Sequence, residues 1–246
     1  MSIDLKKALC GPKVENALLT ASGLWNTPLS LWGLSLVDIP DGAEILDIGC
    51  SGGKNLERLL AKAENTEVSG IDESFRAVDY AYRLNEEAIK EGRCHVYEGS
   101  ADLLPFGKDK FDFVVVEDAF FFWKEPEVCL AEISRVMKPE GKLLLLLSKG
   151  GLPPLDKLYA ALIPGMNALS AQDVKDLLED TGFRDVETLS RFGGLAVTGM
   201  KPVSLVTSAK RKLNLPETLP YGKMAACAAL GFTVLGIALA ASRRKE

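Results

Sequence analysis

Five consecutive leucines, Leu143–Leu147, place the strongest constraint on how this chain can fold. A strand turns successive side chains to opposite faces, so a strand with one wet face needs a polar residue at every second position. This run has none, which puts it inside a sheet covered on both sides. Ala43–Ile48, Glu67–Ile71, His95–Glu98 and Phe111–Val116 read as four further short strands. Between them, Gly53–Ala63, Ser74–Glu91 and Pro126–Met137 carry apolar residues at helical spacing. Strand and helix in alternation imply an α/β fold, a mostly parallel sheet with helices on both faces. Ser170–Asp180 is a further helix with Ser170 as N-cap and Gly182 as its stop, and Arg184–Ser190 and Leu195–Met200 close a seven-stranded sheet. At 246 residues the chain is long enough for one sizeable core.

The segment Ile45-Leu46-Asp47-Ile48-Gly49-Cys50-Ser51-Gly52-Gly53 carries the chemistry. A buried strand ends in an acid, and small residues then let the backbone turn sharply into a helix. In open α/β sheets, ligands bind at the carboxyl ends of strands, near the point where strand order reverses. A dinucleotide fingerprint, GxGxxG, fails because Ser51 and Lys54 stand at its second and third glycines. A phosphate loop, GxxxxGK[ST], fails because three residues separate Gly49 from Gly53 and Asn55 follows Lys54. The form [DE]xGxGxG is met at Asp47, Gly49 and Gly53, with Ser51 at the middle glycine. That form belongs to S-adenosylmethionine sites. The ligand has an ammonium and a sulfonium but no phosphate, so an acid beside the turn favours it and would disfavour a pyrophosphate. Glycine tolerates the turn and lets a ligand approach the main chain.

Asp72 ends the second strand, 23 residues after Gly49, where an acid can accept hydrogen bonds from both ribose hydroxyls. Glu73 follows it. Glu98-Gly99-Ser100-Ala101 ends the third strand, and Ser100 is a candidate for the adenine amino group or an ordinary loop serine. The cofactor-binding set is therefore Asp47, Gly49, Cys50, Ser51, Gly53, Asp72, Glu73, Ser100, Ala101 and Glu117.

From about Trp32 to Pro202 the chain resembles small class I, Rossmann-like S-adenosylmethionine-dependent methyltransferases. Asp47–Asn55 is similar to a subgroup with GCGGGKN turns. Leu104-Pro105-Phe106, Phe111-Asp112, Phe122-Trp123 and Lys138-Pro139-Glu140-Gly141-Lys142 extend the resemblance. It implies a fold and a cofactor and leaves the methyl acceptor open. Relatives usually have Gly at position 51, Asp at 100, Tyr at 121 and Pro at 124, where this chain has Ser51, Ser100, Phe121 and Lys124.

Methyl transfer from a sulfonium is an in-line displacement in which the protein positions the acceptor and excludes water. The sole histidine, His95, begins the third strand, away from its carboxyl end, and reads as structural. Glu117 and Asp118 follow the fourth strand and are the catalytic candidates, either orienting or deprotonating an acceptor or standing as solvated rim carboxylates. Phe120-Phe121-Phe122-Trp123 cannot all face one core. Phe121, Phe122 and Trp123, with Trp25 and Trp32, are candidates for an aromatic acceptor pocket, against the alternative of plain packing. Trp25, Trp32 and the insert Gly151–Gly165 are candidate lids.

Net charge is −5, divided unevenly: eight basic and two acidic residues from Lys201 onward leave −11 on the first 200 residues. An acidic body excludes nucleic acid as the main partner. Five scattered cysteines form no CxxC pair, which suits a reducing compartment and gives no metal signature. Met224–Ser242 holds nineteen residues without a charge, seven of them alanine, between Lys223 and Arg243-Arg244-Lys245. As a helix it would span about 28 Å against a bilayer core of about 30 Å. The organisation expected is a methyltransferase domain over 1–202 (core about 32–202, N-terminal helical cap 1–31), a basic linker over 203–222, a membrane-anchor helix over 223–242 and a basic end over 243–246. A docking helix is the rival reading of the tail. Together these features suggest a small-molecule or lipid methyltransferase on the cytoplasmic face of a membrane. The alternative is a non-catalytic module binding S-adenosylmethionine or a nucleoside.

Overall fold

The leucine run is buried on both sides. In the computed structural model, which describes residues 27–148 and 169–202, Leu143–Leu147 are all fully buried. Leu143, Leu145 and Leu147 enter one hydrophobic core and Leu144 and Leu146 the other, on the opposite face of the sheet.

The described elements run α1 (Thr27–Ser35), β1 (Glu44–Ile48), α2 (Lys54–Leu60), β2 (Glu67–Asp72), α3 (Phe75–Leu84), α4 (Glu86–Lys90), β3 (Cys94–Glu98), β4 (Phe111–Glu117), a 3-10 turn (Ala119–Phe122), α5 (Pro126–Val136), β5 (Met137–Leu147), α6 (Ala171–Asp180), β6 (Arg184–Arg191) and β7 (Gly194–Met200). The seven strands lie in the order β3-β2-β1-β4-β5-β7-β6. All pairings are parallel except those of β7 with β5 and β6. One core packs α5, α6 and the 3-10 turn against the sheet; the other packs α1, α2 and α3. Strand order reverses at β1, which has β2 on one side and β4 on the other. The carboxyl ends of β1, β2 and β4 therefore open into one crevice.

Three elements differ from the sequence expectation. The single helix expected over 74–91 is interrupted at Asn85, whose buried side-chain amide donates to Ala81 O (2.9 Å) and Gly53 O (3.1 Å). That amide replaces helical continuity with a tie to the glycine turn. The helix after the turn stops at Leu60, three residues early. β5 begins at Met137, five residues before the expected Lys142. Its entry is held by backbone bonds between Glu140, Gly141 and Lys201. The capping of α6 is as expected: Ser170 and Asp173 form a reciprocal capping box.

Trp25, the insert 151–165, residues 1–26 of the N-terminal cap and the whole tail from 203 lie outside the described residues. Among the described residues no helix is long and apolar enough to cross a membrane.

Candidate active site at the switch point of the sheet

β1 passes into α2 through a turn whose backbone is bonded to β2: Gly49 N and Cys50 N both donate to Ile71 O (2.8 and 3.1 Å). Gly49 and Gly53 have φ of +75° and +79°, a region glycine enters without strain. A Cβ on Gly49 would lie 2.3 Å from the Ala119 Cβ, and one on Gly53 2.7 Å from the Ala81 Cβ. The Cβ direction at both glycines is thus filled by protein packing, while Gly49 still lines the crevice through its main chain. Ser51 also has positive φ, +49°, at about 1–2 kcal/mol for an L-residue. Its N–H donates to Asp72 Oδ2 at 2.9 Å, which holds the turn.

The crevice has a volume of about 350 Å³, a size suited to a small-molecule ligand. Asp47 lies at its floor, 1% exposed. Asn55 Nδ2 donates to Asp47 Oδ1 at 3.3 Å, while Asp47 Oδ2 and Asn55 Oδ1 are buried without a hydrogen-bond partner. Burial, reinforced by the charges of Glu117 and Asp72, pushes the Asp47 carboxyl up to about 8, although Asn55 and Arg58 oppose the shift. Burial also holds the Cys50 thiol well above its usual range, so it stays neutral. Beside Asp47, the fully buried Ser30 on α1 donates to Glu117 Oε1 (2.6 Å) and accepts from Arg58 (3.1 Å). Arg58 also donates to Thr27 Oγ1 at 2.6 Å. A layer of alternating charge and hydroxyl thus fastens α1 to the acidic end of the crevice.

Asp72 stands midway. Its two carboxylate oxygens accept from Ser51 N and Ser74 N, both at 2.9 Å. Glu73, Gly99 and Ala101 line the far end. Phe122, 52% exposed, and Trp123 complete the wall beside Asp118 and Ala119.

A methyltransferase-domain family matches residues 46–145. An O-methyltransferase of Penicillium expansum is 30% identical over 151 residues, covering 59% of this chain and 54% of that protein. A ubiquinone/menaquinone biosynthesis C-methyltransferase of Vibrio parahaemolyticus is 27% identical over 181 residues, covering 63% and 69%. The crystal structure of an S-adenosylmethionine-dependent methyltransferase from Aquifex aeolicus superposes with a TM-score of 0.58 at 25% identity, over 70% of this chain and 88% of that one. Residues 46–145 therefore carry a methyltransferase domain, and the chain is similar to class I S-adenosylmethionine-dependent methyltransferases. The chain spans 54% to 66% of the length of the O-methyltransferases it matches.

The residues of the crevice fit S-adenosylmethionine. A buried carboxylate oxygen without a partner needs a donor, and an ammonium supplies one together with a compensating charge. Of the expected cofactor residues, Asp47, Gly49, Cys50, Ser51, Asp72, Glu73, Ala101 and Glu117 line the crevice, while Gly53 shapes the turn from behind.

Ser100 does not line the crevice. Its hydroxyl donates to Glu73 Oε1 at 2.6 Å. Phe121 is 4% exposed within the core rather than in the pocket, because the 3-10 turn points Phe120 and Phe121 inward and only Phe122 outward. Trp32 does not line the crevice; it packs at the opposite-face core and meets Phe192 edge-on at 6.4 Å. Asp118, a catalytic candidate, has φ +59° and accepts from Ser148 N at 2.6 Å, so its carboxylate fastens the end of β5. His95 packs near Tyr97 on β3, outside the crevice lining.

The sequence reading missed Asn55, Arg58 and Ser30. A signal existed: Asn55 and Arg58 are three apart on α2, as Thr27 and Ser30 are on α1, so each pair shares a helix face.

Asp72→Ala is expected to weaken S-adenosylmethionine binding by about 1–3 kcal/mol, through loss of the diol acceptor and of both turn contacts. Calorimetric titration of the variant with unchanged affinity would remove Asp72 from the site.

Proposed function

We propose that this chain transfers the methyl group of S-adenosylmethionine to a small apolar molecule or lipid. The observation that carries the reading is the pair of carboxylates, buried Asp47 and central Asp72, on either side of one glycine turn. That pair suits a ligand with a cationic end and a diol. When bound, S-adenosylmethionine supplies an electrophilic methyl on sulfur. Asp47, with Asn55, holds the ammonium, and Arg58 lies beside it to balance the carboxylate end of the same ligand. Asp72 receives the ribose hydroxyls. Phe122 and Trp123 offer aromatic faces that pack an apolar acceptor and keep water from the reacting carbon. Glu117 and Asp118 act as positioning groups, since the Ser30 hydroxyl and the Ser148 amide already engage their carboxylates. The O-methyltransferase and quinone C-methyltransferase relatives support an organic acceptor.

The charge-free run Met224–Ser242 and its basic flanks support attachment at the cytoplasmic face of a membrane. Purified full-length protein incubated with labelled S-adenosylmethionine and a lipid extract is expected to release S-adenosylhomocysteine and label an extractable product. Binding of the cofactor without any such release, across lipid and aromatic acceptors, would support the non-catalytic module instead. Full-length protein is expected to stay with membranes through high-salt and carbonate washes. Release by salt alone would reject the anchor, because exposed charges are screened within about 8–10 Å.

A further inference from the structure

We propose that Glu73, oriented by the Ser100 hydroxyl, reads the 6-amino group of the cofactor's purine. This rests on the S-adenosylmethionine reading above. The crevice assigns the three parts of that ligand by charge. Its ammonium belongs with buried Asp47 at one end, and its diol belongs with Asp72 in the middle. The base must then extend past Asp72, toward Glu73, Gly99 and Ala101.

At that end, Gly99 and Ala101 have no polar side-chain atoms, so Glu73 is the side chain there that can read a base edge by hydrogen bonding. A carboxylate only accepts hydrogen bonds. It therefore welcomes an exocyclic amino group and opposes the oxygen of a 6-oxopurine. Ser100 contributes indirectly. Its hydroxyl donates to Glu73 Oε1 at 2.6 Å, across 27 residues of chain, and leaves Oε2 to face the base. The pair joins the end of β2 to the end of β3, so the reading group is held between two strands instead of swinging on one. Ser100 is thus a positioning residue and Glu73 the contact.

The test compares S-adenosylhomocysteine with its 6-oxo analogue, S-inosylhomocysteine, by calorimetry on the full-length protein. The wild type is expected to prefer the amino form by roughly tenfold, the scale of one hydrogen bond with a charged partner at a solvent-exposed site. Glu73→Gln, whose amide both donates and accepts, is expected to bring the two affinities within about twofold of each other. Ser100→Ala is expected to lose part of the preference, and Ser100→Thr, which restores a hydroxyl, to recover it. Glu73 is exposed and Ser100 half-buried, so both variants should unfold at the wild-type midpoint. An undiminished preference in Glu73→Gln would overturn the proposal while leaving the cofactor reading intact. Failure of the wild type to bind S-adenosylhomocysteine at all would overturn both.

Discussion

Gly49→Val is expected to bind no measurable S-adenosylmethionine and to lose about 3–5 kcal/mol of unfolding free energy. Two terms combine. The residue sits at φ +75°, which costs an L-residue about 1–2 kcal/mol and a branched one more. The new Cβ would also lie 2.3 Å from the Ala119 Cβ, and overpacking of this kind costs about 1–3 kcal/mol. Because Ala119 also lines the crevice, relief of the clash moves the wall of the site. The two terms separate in a milder pair: Gly49→Ala should recover part of its lost stability when Ala119→Gly is added, since only the contact is relieved. Denaturant melts followed by circular dichroism measure the first effect and calorimetry the second. A Gly49→Val protein with native stability and full affinity would show that the turn has another conformation.

Asp47→Asn is expected to weaken the cofactor at least tenfold at pH 8 and to flatten the pH dependence of stability. Burial, then Glu117 and Asp72, raise this carboxyl from its usual 3.8 to about 8. The folded protein therefore keeps a proton that the unfolded chain releases once pH passes about 4. The stability from neutral Asp47 is complete below that point and is lost progressively as pH climbs to about 8. The slope is at most about 1.4 kcal/mol per pH unit. Asparagine removes the titration and with it the slope. An ammonium at Asp47 favours the ionised form, so cofactor binding should expel this proton. Affinity should rise with pH by up to about tenfold per unit, until the ligand's own amino group titrates near 8. Calorimetry in two buffers of different ionisation enthalpy counts the proton directly. An equal heat in both, or an affinity indifferent to pH between 5 and 7.5, would show that Asp47 is already charged before the ligand arrives.

Much of this architecture was legible before any coordinates. The central strands were legible because they are apolar runs bounded by turn residues, and Ser170 and Gly182 marked the limits of α6. The acids at the ends of β1 and β2 were legible for a chemical reason: a charged residue closing a buried strand needs a use. Side-chain direction was less accessible. Nothing in the order Phe120-Phe121-Phe122-Trp123 distinguishes the one exposed ring from the three buried ones, since a 3-10 turn has its own period. The partners of Ser100 and Asp118 were not legible because each is engaged by a residue distant in sequence, Glu73 and Ser148. The break at Asn85 escaped for the same reason, as its amide is bonded to a turn 32 residues away.

The five leucines of β5 have a less obvious effect on alignment. In a half-wet strand, a slip by one residue exposes every apolar side chain, and that penalty enforces the correct pairing. Here a one-step slip would exchange leucine for leucine on both faces, so the strand interior does little to select its own alignment. Selection must come from the ends. Gly141 and Lys201 bond through their backbones where the strand enters the sheet, and the Asp118 carboxylate grips the Ser148 amide where it leaves. Deleting a leucine should therefore be tolerated by the core and resisted by its two clasps, and the second clasp lies on the wall of the crevice.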